Sequence, residues 1–494
     1  MLFNSFEFLI FFPIVTILYF VIPKKAKYLW LLAASYYFYM CWNPYYVLLI
    51  LFSTVATWIC AILLEKWEKH KKWIVGLCVG VNICILIYFK YANFFLQNIS
   101  GAAGKLGIAF PQIRVDVLLP VGISFYTFQA LGYIIDVYRK EIPAQRNFFK
   151  YALFVSFFPQ LVAGPIERSR NLLKDIEQIP QKKLLDYDRI TGGLMMMLYG
   201  MFLKLVIADR ISTAADFVFQ SPGERDSLQL IIGMLCFTLQ IYCDFSGYST
   251  IAIGSAKVMG FTLMENFNTP YFALTIQDFW RRWHISLSTW FRDYLYIPLG
   301  GSRCSRFRKY CNLMITFLVS GLWHGAGWHF VAWGGLHGAY QIAGDLTKKA
   351  RKKLIERLHL KEKGILVTSV RRLVTFILVA FAWIFFRADN LRNALVYIKN
   401  MLSLHFSVAG WTELCDNNVS GMTKWEWLIL VAAIALMLVF GLARSKKELP
   451  ADAFLQNTPL PVRWFLIYAL FFAVLIFGKY GPEYSEAAFL YFQF

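Results

Sequence analysis

Apolar residues fall along this chain in long unbroken runs rather than in the one-sided patterns of a water-soluble domain. Runs near 5–22, 28–40, 45–64, 73–89, 117–135, 190–207, 228–242, 312–323, 373–386, 426–443 and 463–479 recur over nearly the whole length. Many approach the roughly 20 residues that a helix needs to cross a bilayer. The pattern predicts an all-α polytopic membrane protein of roughly 10 to 12 spans. The run at 151–166 lies between two basic clusters on the same predicted side, so it cannot be a single span. A re-entrant or interfacial element is expected there, which is tolerated at membrane depth only where protein or water covers its backbone. The stretch 312–345 reads either as two short spans or as a re-entrant pair. No internal repeat points to an inverted-repeat transporter.

Composition agrees: the 494 residues are 58 % hydrophobic, 18 % aromatic and only 16 % charged, against roughly 25 % charged in a typical soluble domain. The net charge of +20 does not indicate nucleic acid, because Lys and Arg sit in short clusters between apolar runs rather than on one soluble face. The clusters at 23–27, 65–72, 138–150, 167–189, 348–363 and 444–448 read instead as cytoplasmic loops under the positive-inside rule. Two spans separate the first cluster from the second and two more separate the second from the third, and that parity places both termini outside the cytoplasm. The N-terminus has no Lys or Arg before its apolar run and no small-residue cleavage site, so it reads as a retained first span. Nine cysteines without a CxxC pair, among them Cys60, Cys78, Cys84 and Cys236 inside apolar runs, read as small hydrophobes rather than disulfides or metal ligands. One integral-membrane domain is expected over 1–494, made of N-terminal spans (1–116), a core (117–345), a basic cytoplasmic loop (346–372) and C-terminal spans (373–494).

Polar chemistry enters the apolar pattern in few places. In "LLPVGISFYTFQALGYIIDVYR" (118–139), Pro120 and Gly122 interrupt a span that also carries Ser124, Tyr126, Thr127, Gln129 and Asp136. A kinked helix bordering a cavity and helix-to-helix hydrogen bonding fit equally well. In "FFPQLVAGPIERSR" (157–170), two prolines rule out a regular helix and the charges mark a turn at the cytoplasmic surface. In "QIYCDFSGYSTIAIG" (240–254), Asp244 is a site candidate because a carboxylate is expensive at membrane depth. The preferred reading is an N-cap, with Asp244 or Ser246 opening the following helix.

The longest polar and aromatic island is "TIQDFWRRWHISLSTWFRDYLYIPLGGSR" (275–303). At helical spacing Trp280, Trp283, Leu287 and Trp290 make one stripe and Arg282, Ser286, Thr289 and Asp293 another, which predicts an interfacial helix with tryptophans at headgroup depth. His284, flanked by Trp283 and one turn before Ser288, is not needed by that reading. A second histidine stands in "FLVSGLWHGAGWHF" (317–330), where the glycines around His324 admit close approach of a backbone or a narrow ligand. Burial disfavours the charged imidazole and keeps it neutral, the state of a general base. His329 and His337 are weaker candidates, and no HxxxH pair or carboxylate cluster supports a metal site.

Laid out in order, "PVGISFYTFQALGYIIDVYR", "FFPQLVAGPIER", "DFSGYSTIAIGSAKVMGF", "NFNTPYFALTIQDFWRRWHISLSTWFRDYLYIPLGG", "SGLWHGAGWHFVAWGGLHG" and the terminal "FLYFQF" resemble the membrane-bound O-acyltransferase (MBOAT) family, in its bacterial alginate O-acetyltransferase-like branch. The resemblance runs from residue 119 to the last. It implies a ring of tilted helices with re-entrant segments around a central tunnel, in the inner or cytoplasmic membrane of a bacterium. It also implies that His324 is catalytic with His284 as the second polar position. Asp244, Ser246, Trp280, Arg282, Trp283, Ser288, Trp323, Gly325 and Gly327 would line the tunnel.

The implied reaction is O-acylation of a cell-envelope or secreted polysaccharide, alginate-like exopolysaccharide or peptidoglycan, most simply with acetyl. His324 would act as general base and His284 would orient or polarise the carbonyl. No bound cofactor is implied; an acetyl-CoA or acyl-carrier thioester serves as co-substrate. An exported SGNH-type acetyltransferase or a polysaccharide-export protein is the expected partner, alongside the bilayer. D-alanyl transfer to teichoic acid is the alternative within the family. A polytopic transporter or lipid flippase is the rival from another class.

Overall fold

A computed structural model describes residues 1–108, 114–115, 118–162, 164–447 and 459–480. The terminal motif at 489–494, the C-terminus itself and the last residue of the 444–448 cluster lie outside the described residues. The described regular structure is helical throughout, with no strand. Among the described residues, seven helices are long and apolar enough to cross a membrane: Pro44–Lys66, Glu68–Lys105, Tyr187–Gln220, Ser227–Val258, Ile365–Arg387, Lys424–Ala443 and Leu460–Phe477. Other apolar runs form shorter helices, among them Phe6–Val21, opened by Ser5, whose hydroxyl accepts from the Phe8 amide. The large apolar side chains on these helices are widely exposed, from Phe6 to Phe477, as a lipid-facing surface requires.

The chain forms two compact units, one of 1–194 with 252–264 and one of 195–251 with 265–494. In the first, the run at 151–166 is the nine-residue helix Phe148–Ser156 followed by the short Phe158–Leu161. Nine residues rise only about 14 Å, under half the hydrocarbon thickness, so this buried helix is too short to be a span. Pro120 and Gly122 precede the helix Ile123–Tyr138 rather than kinking it. Gly122 sits at φ 75°, where a Cβ would lie 2.6 Å from the Leu161 carbonyl oxygen. The polar residues of that helix bond to its neighbours: Gln129 Nε2 donates to the Phe154 carbonyl at 2.7 Å, and Ser169 Oγ donates to Asp136 at 2.8 Å. Helix-to-helix bonding accounts for both.

In the second unit the stretch 312–345 falls within a hairpin of two 19-residue helices, Arg306–His324 and Trp328–Leu346, joined by only three residues. Close packing through glycine permits so short a link. A Cβ on Gly321 would strike the Phe330 carbonyl, and one on Gly334 the Phe317 carbonyl. The basic segment after the hairpin is partly ordered as the exposed helix Lys348–Arg357. All nine cysteines are free; Cys78 and Cys236 are buried, while Cys84 is exposed.

Candidate active site

The predicted interfacial helix over 275–303 does not form as one piece. Thr275 caps a seven-residue helix, Ile276–Arg282, by accepting from the Asp278 amide at 3.1 Å. His284 then adopts a left-handed backbone, φ 42° and ψ 54°, before a second short helix, Ile285–Phe291. That break removes the two-stripe geometry. Trp280, Trp283, Leu287 and Trp290 are buried rather than at headgroup depth, and Ser286, assigned to the polar stripe, is fully buried. A non-glycine residue at positive φ is held only where its surroundings over-determine it.

Those surroundings are the segment 266–268, which pairs with the break through two backbone bonds. The Asn268 amide donates to the Arg282 carbonyl at 2.9 Å, and the Ile285 amide donates to the Asn266 carbonyl at 3.0 Å. The pairing turns the Asn266 side chain toward His284. Its Oδ1 stands 3.1 Å from His284 Nδ1, accepts from Ser286 Oγ at 2.9 Å and from the Ser286 amide at 3.3 Å, and its Nδ2 donates to Ser249 Oγ at 3.0 Å. The His284 ring is fully buried, edge-on to Phe245 at 4.7 Å.

His324 is the last residue of the first hairpin helix, and it too is buried. Aromatic rings surround it: Trp323 at 4.9 Å, Trp333 at 5.0 Å and Phe386 at 5.2 Å between centroids. The His284 and His324 rings approach to 6.5 Å, inclined at 58°, and Trp323 also faces His284 at 6.2 Å. Two elements that are distant in sequence thus bring two imidazoles into one aromatic enclosure. What such a pair offers is proton transfer in a site that excludes water.

The other predicted site residues divide. Trp283 packs beside His284 in the chain, between Phe279, Phe267 and Trp383. Trp280 joins a neighbouring cluster, donating from Nε1 to His337 Nδ1 at 3.2 Å. Arg282 is half-buried and pairs with Asp278 at 2.9 Å, and Ser288 Oγ donates to the Trp283 carbonyl at 3.2 Å. Ser246 is buried within Ser227–Val258. The space beside Gly325 is taken by the Phe330 ring and that beside Gly327 by the His329 ring, so both glycines relieve the protein's own packing.

Asp244 is not an N-cap. It lies inside the 32-residue helix Ser227–Val258, which runs unbroken through "DFSG", and its carboxylate meets Lys204 Nζ at 2.8 Å. Lys204 also pairs with Asp209 at 2.8 Å. It belongs to the π-helical turn Phe202–Ala208, of a kind that often marks functional or specially constrained positions. Gly200 and Gly247 let the two helices approach closely there, since a Cβ on Gly247 would lie 2.8 Å from the Gly200 carbonyl oxygen.

Sequence reasoning passed over Asn266, Lys204, Asp209, Trp333 and Phe386. For Lys204 the signal was present, a lone cation inside the apolar run 190–207. Asn266 stood within a recognised motif without being singled out, because an Asn in a loop reads as a turn residue.

Comparison with known proteins gives a match to the model of the MBOAT, membrane-bound O-acyltransferase family over residues 139–386. A protein of Azotobacter vinelandii named probable alginate O-acetylase AlgI is 39 % identical over 450 residues, 90 % of this chain and 85 % of that protein. A peptidoglycan O-acetyltransferase of Helicobacter pylori is 37 % identical over 437 residues, 82 % of this chain and 80 % of its own. A teichoic acid D-alanyltransferase of Bacillus subtilis is 29 % identical over 243 residues, 47 % of this chain and 60 % of its own. Membership makes the protein an enzyme, which removes the transporter reading. With seven apolar helices and a family match across the residues that carry both imidazoles, the chain belongs to the membrane-bound O-acyltransferase family and is a multi-pass membrane O-acyltransferase.

Proposed function

We propose that the protein transfers an acetyl group from a cytoplasmic thioester toward O-acetylation of a cell-envelope or secreted polysaccharide, with His324 as the general base. The observation that carries this reading is the meeting of His284 and His324, ring centroids 6.5 Å apart, inside a buried aromatic enclosure. A hydroxyl held between them loses its proton to His324 as its oxygen attacks the thioester carbonyl. The C–S bond then breaks, and the imidazolium returns the proton to the leaving thiolate. General-base help of this kind is worth roughly 10²–10⁴-fold, and exclusion of water protects the thioester from hydrolysis.

The donor is acetyl-CoA or an acyl-carrier thioester, and a separate exported SGNH-type acetyltransferase or export protein passes the group to its final acceptor. The alginate-type and peptidoglycan-type relatives support acetyl as the group carried. The enzyme resides in the bacterial cytoplasmic membrane with both termini outside, an orientation supported by the alternation of basic clusters with spans. Cysteine introduced at Asn4 and at Leu360, in a background freed of native cysteines, should react with an impermeant reagent on intact cells at the first position and not at the second.

Chemical release tests the transfer itself. Mild base treatment of envelope polymer from cells carrying the gene, compared with cells lacking it, should liberate additional acetate. Liberation of D-alanine instead would establish the teichoic-acid reading, and liberation of neither would refute acyl transfer to the envelope.

A further inference from the structure

Asn266 holds its amide in one orientation, and that orientation determines which nitrogen of His284 carries a proton. The Ser286 backbone N–H can only donate, so the Asn266 atom facing it at 3.3 Å must be the carbonyl oxygen Oδ1. The opposite end of the amide agrees, since Nδ2 donates to Ser249 Oγ at 3.0 Å. Oδ1 is an acceptor only, and His284 Nδ1 lies 3.1 Å from it. Nδ1 must therefore carry the hydrogen, and in a neutral imidazole that leaves the lone pair on Nε2.

We infer that Asn266 is a positioning residue which locks His284 in the Nδ1–H tautomer, so that His284 presents a proton-accepting nitrogen to the reaction. This rests on the proposed reading of His284 and His324 as the pair that handles the acceptor hydroxyl, and it changes the role of His284 within it. An imidazole with its lone pair on Nε2 cannot polarise a carbonyl by donating a hydrogen bond from that atom. It can accept a hydrogen bond from a second hydroxyl of a polyhydroxylated acceptor. That contact aims the attacking oxygen at the carbonyl, while the attacking hydroxyl's single proton goes to His324.

The supporting geometry is over-determined in the way such a device requires. Two backbone bonds fix 266–268 against 282–285, the left-handed backbone at His284 aims the ring, and Phe245 meets the ring edge-on at 4.7 Å. Ser249 is carried by the long Ser227–Val258 helix. The tautomer is thus set by three separate pieces of chain.

Solid-state ¹⁵N NMR of the histidine-labelled protein in lipid bilayers reads the tautomer directly, with the His284 signals assigned by subtracting the His284→Ala spectrum. The expected result is a protonated Nδ1 and an unprotonated Nε2 in the wild type, and loss of this single tautomer in Asn266→Leu. In cells, Asn266→Leu should lower acyl transfer by about 10²-fold at matched membrane level. Asn266→Asp, which keeps the acceptor, should recover at least about a tenth of wild-type transfer by the same scale. A merely structural Asn266 would show no tautomer change in Asn266→Leu and no advantage of Asp over Leu. An Nε2–H tautomer in the wild type, or wild-type transfer by Asn266→Leu, overturns the inference. Failure of the broader reading looks different, because full transfer by His324→Ala refutes the base assignment whatever the His284 tautomer.

Discussion

Around Lys204 the buried polar groups are ions of opposite sign, with carboxylates of Asp209 and Asp244 each 2.8 Å from the one ammonium. Around His284 and His324 the buried polar groups are rings, oriented by an amide, two serines and a wall of aromatics. Both clusters lie in one compact unit and both are almost wholly out of solvent. Lys204 pairs with a carboxylate on its own helix and with one on Ser227–Val258, which ties the two helices together. The histidine cluster instead sets two imidazoles 6.5 Å apart in an aromatic enclosure, the type of side chain most often used for proton transfer. Buried polar groups in this membrane enzyme thus take two forms, an ion cluster that ties helices together and a pair of facing imidazoles, and the proposed base belongs to the second.

The comparison is most severely strained by Lys204→Met. Removing the cation leaves two facing carboxylates at membrane depth, a loss on the order of 3–5 kcal/mol. The variant should fail to accumulate as a monodisperse protein, measured by membrane level and by size-exclusion profile in detergent. Asp244→Asn retains the Lys204–Asp209 pair and should fold. If it folds normally yet loses all transfer, Asp244 belongs to the chemistry and the division drawn here is wrong.

Gly334→Val sharpens the comparison by disturbing His324 through packing alone. The valine Cβ would meet the Phe317 carbonyl, on the first hairpin helix, which ends on His324. It should cost about 1–3 kcal/mol and reduce transfer together with thermal stability. Transfer that survives while stability falls would show that the hairpin does not position the base.

A third buried group, Glu167 in the other unit, has neither a lysine partner nor a catalytic neighbour. It accepts from the Met264 amide. Burial raises its carboxyl from 4.5 to about 7, against the lowering effect of the Met264 and Arg168 backbone amides. The folded protein thus keeps a proton that the unfolded chain releases, so stability falls as pH rises from about 4.5 to about 7 and is level above that window. Glu167→Gln should flatten this slope, with an effect on the order of a few degrees in the thermal midpoint between pH 5 and pH 7.5. An unchanged slope would place the titrating group elsewhere.

The pattern of apolar runs was sufficient for the membrane class and for the absence of a full span at 151–166, because both follow from length and flanking charge. It singled out His284 and His324, which the fold brings to 6.5 Å between ring centroids, because a histidine among tryptophans and glycines is conspicuous. It could not anticipate the break at His284, since the one-sided periodicity of 275–303 continues across a residue whose backbone is set by tertiary pairing with 266–268. The N-cap assigned to Asp244 failed for a related reason. Short polar residues favour helix starts over helix interiors, and only the fold shows Lys204 opposite Asp244. Gly325 and Gly327 were legible as sites of close approach, but what approaches them is Phe330 and His329.

The central claim is that His324 is a base and not a packing residue. The most direct measurement is envelope-polymer acylation in cells lacking the native gene and complemented with His324→Ala, with membrane level and thermal midpoint determined for the same variant. The account predicts normal accumulation and a midpoint close to wild type, with transfer reduced by at least about 10²-fold. Wild-type acylation by His324→Ala would contradict it.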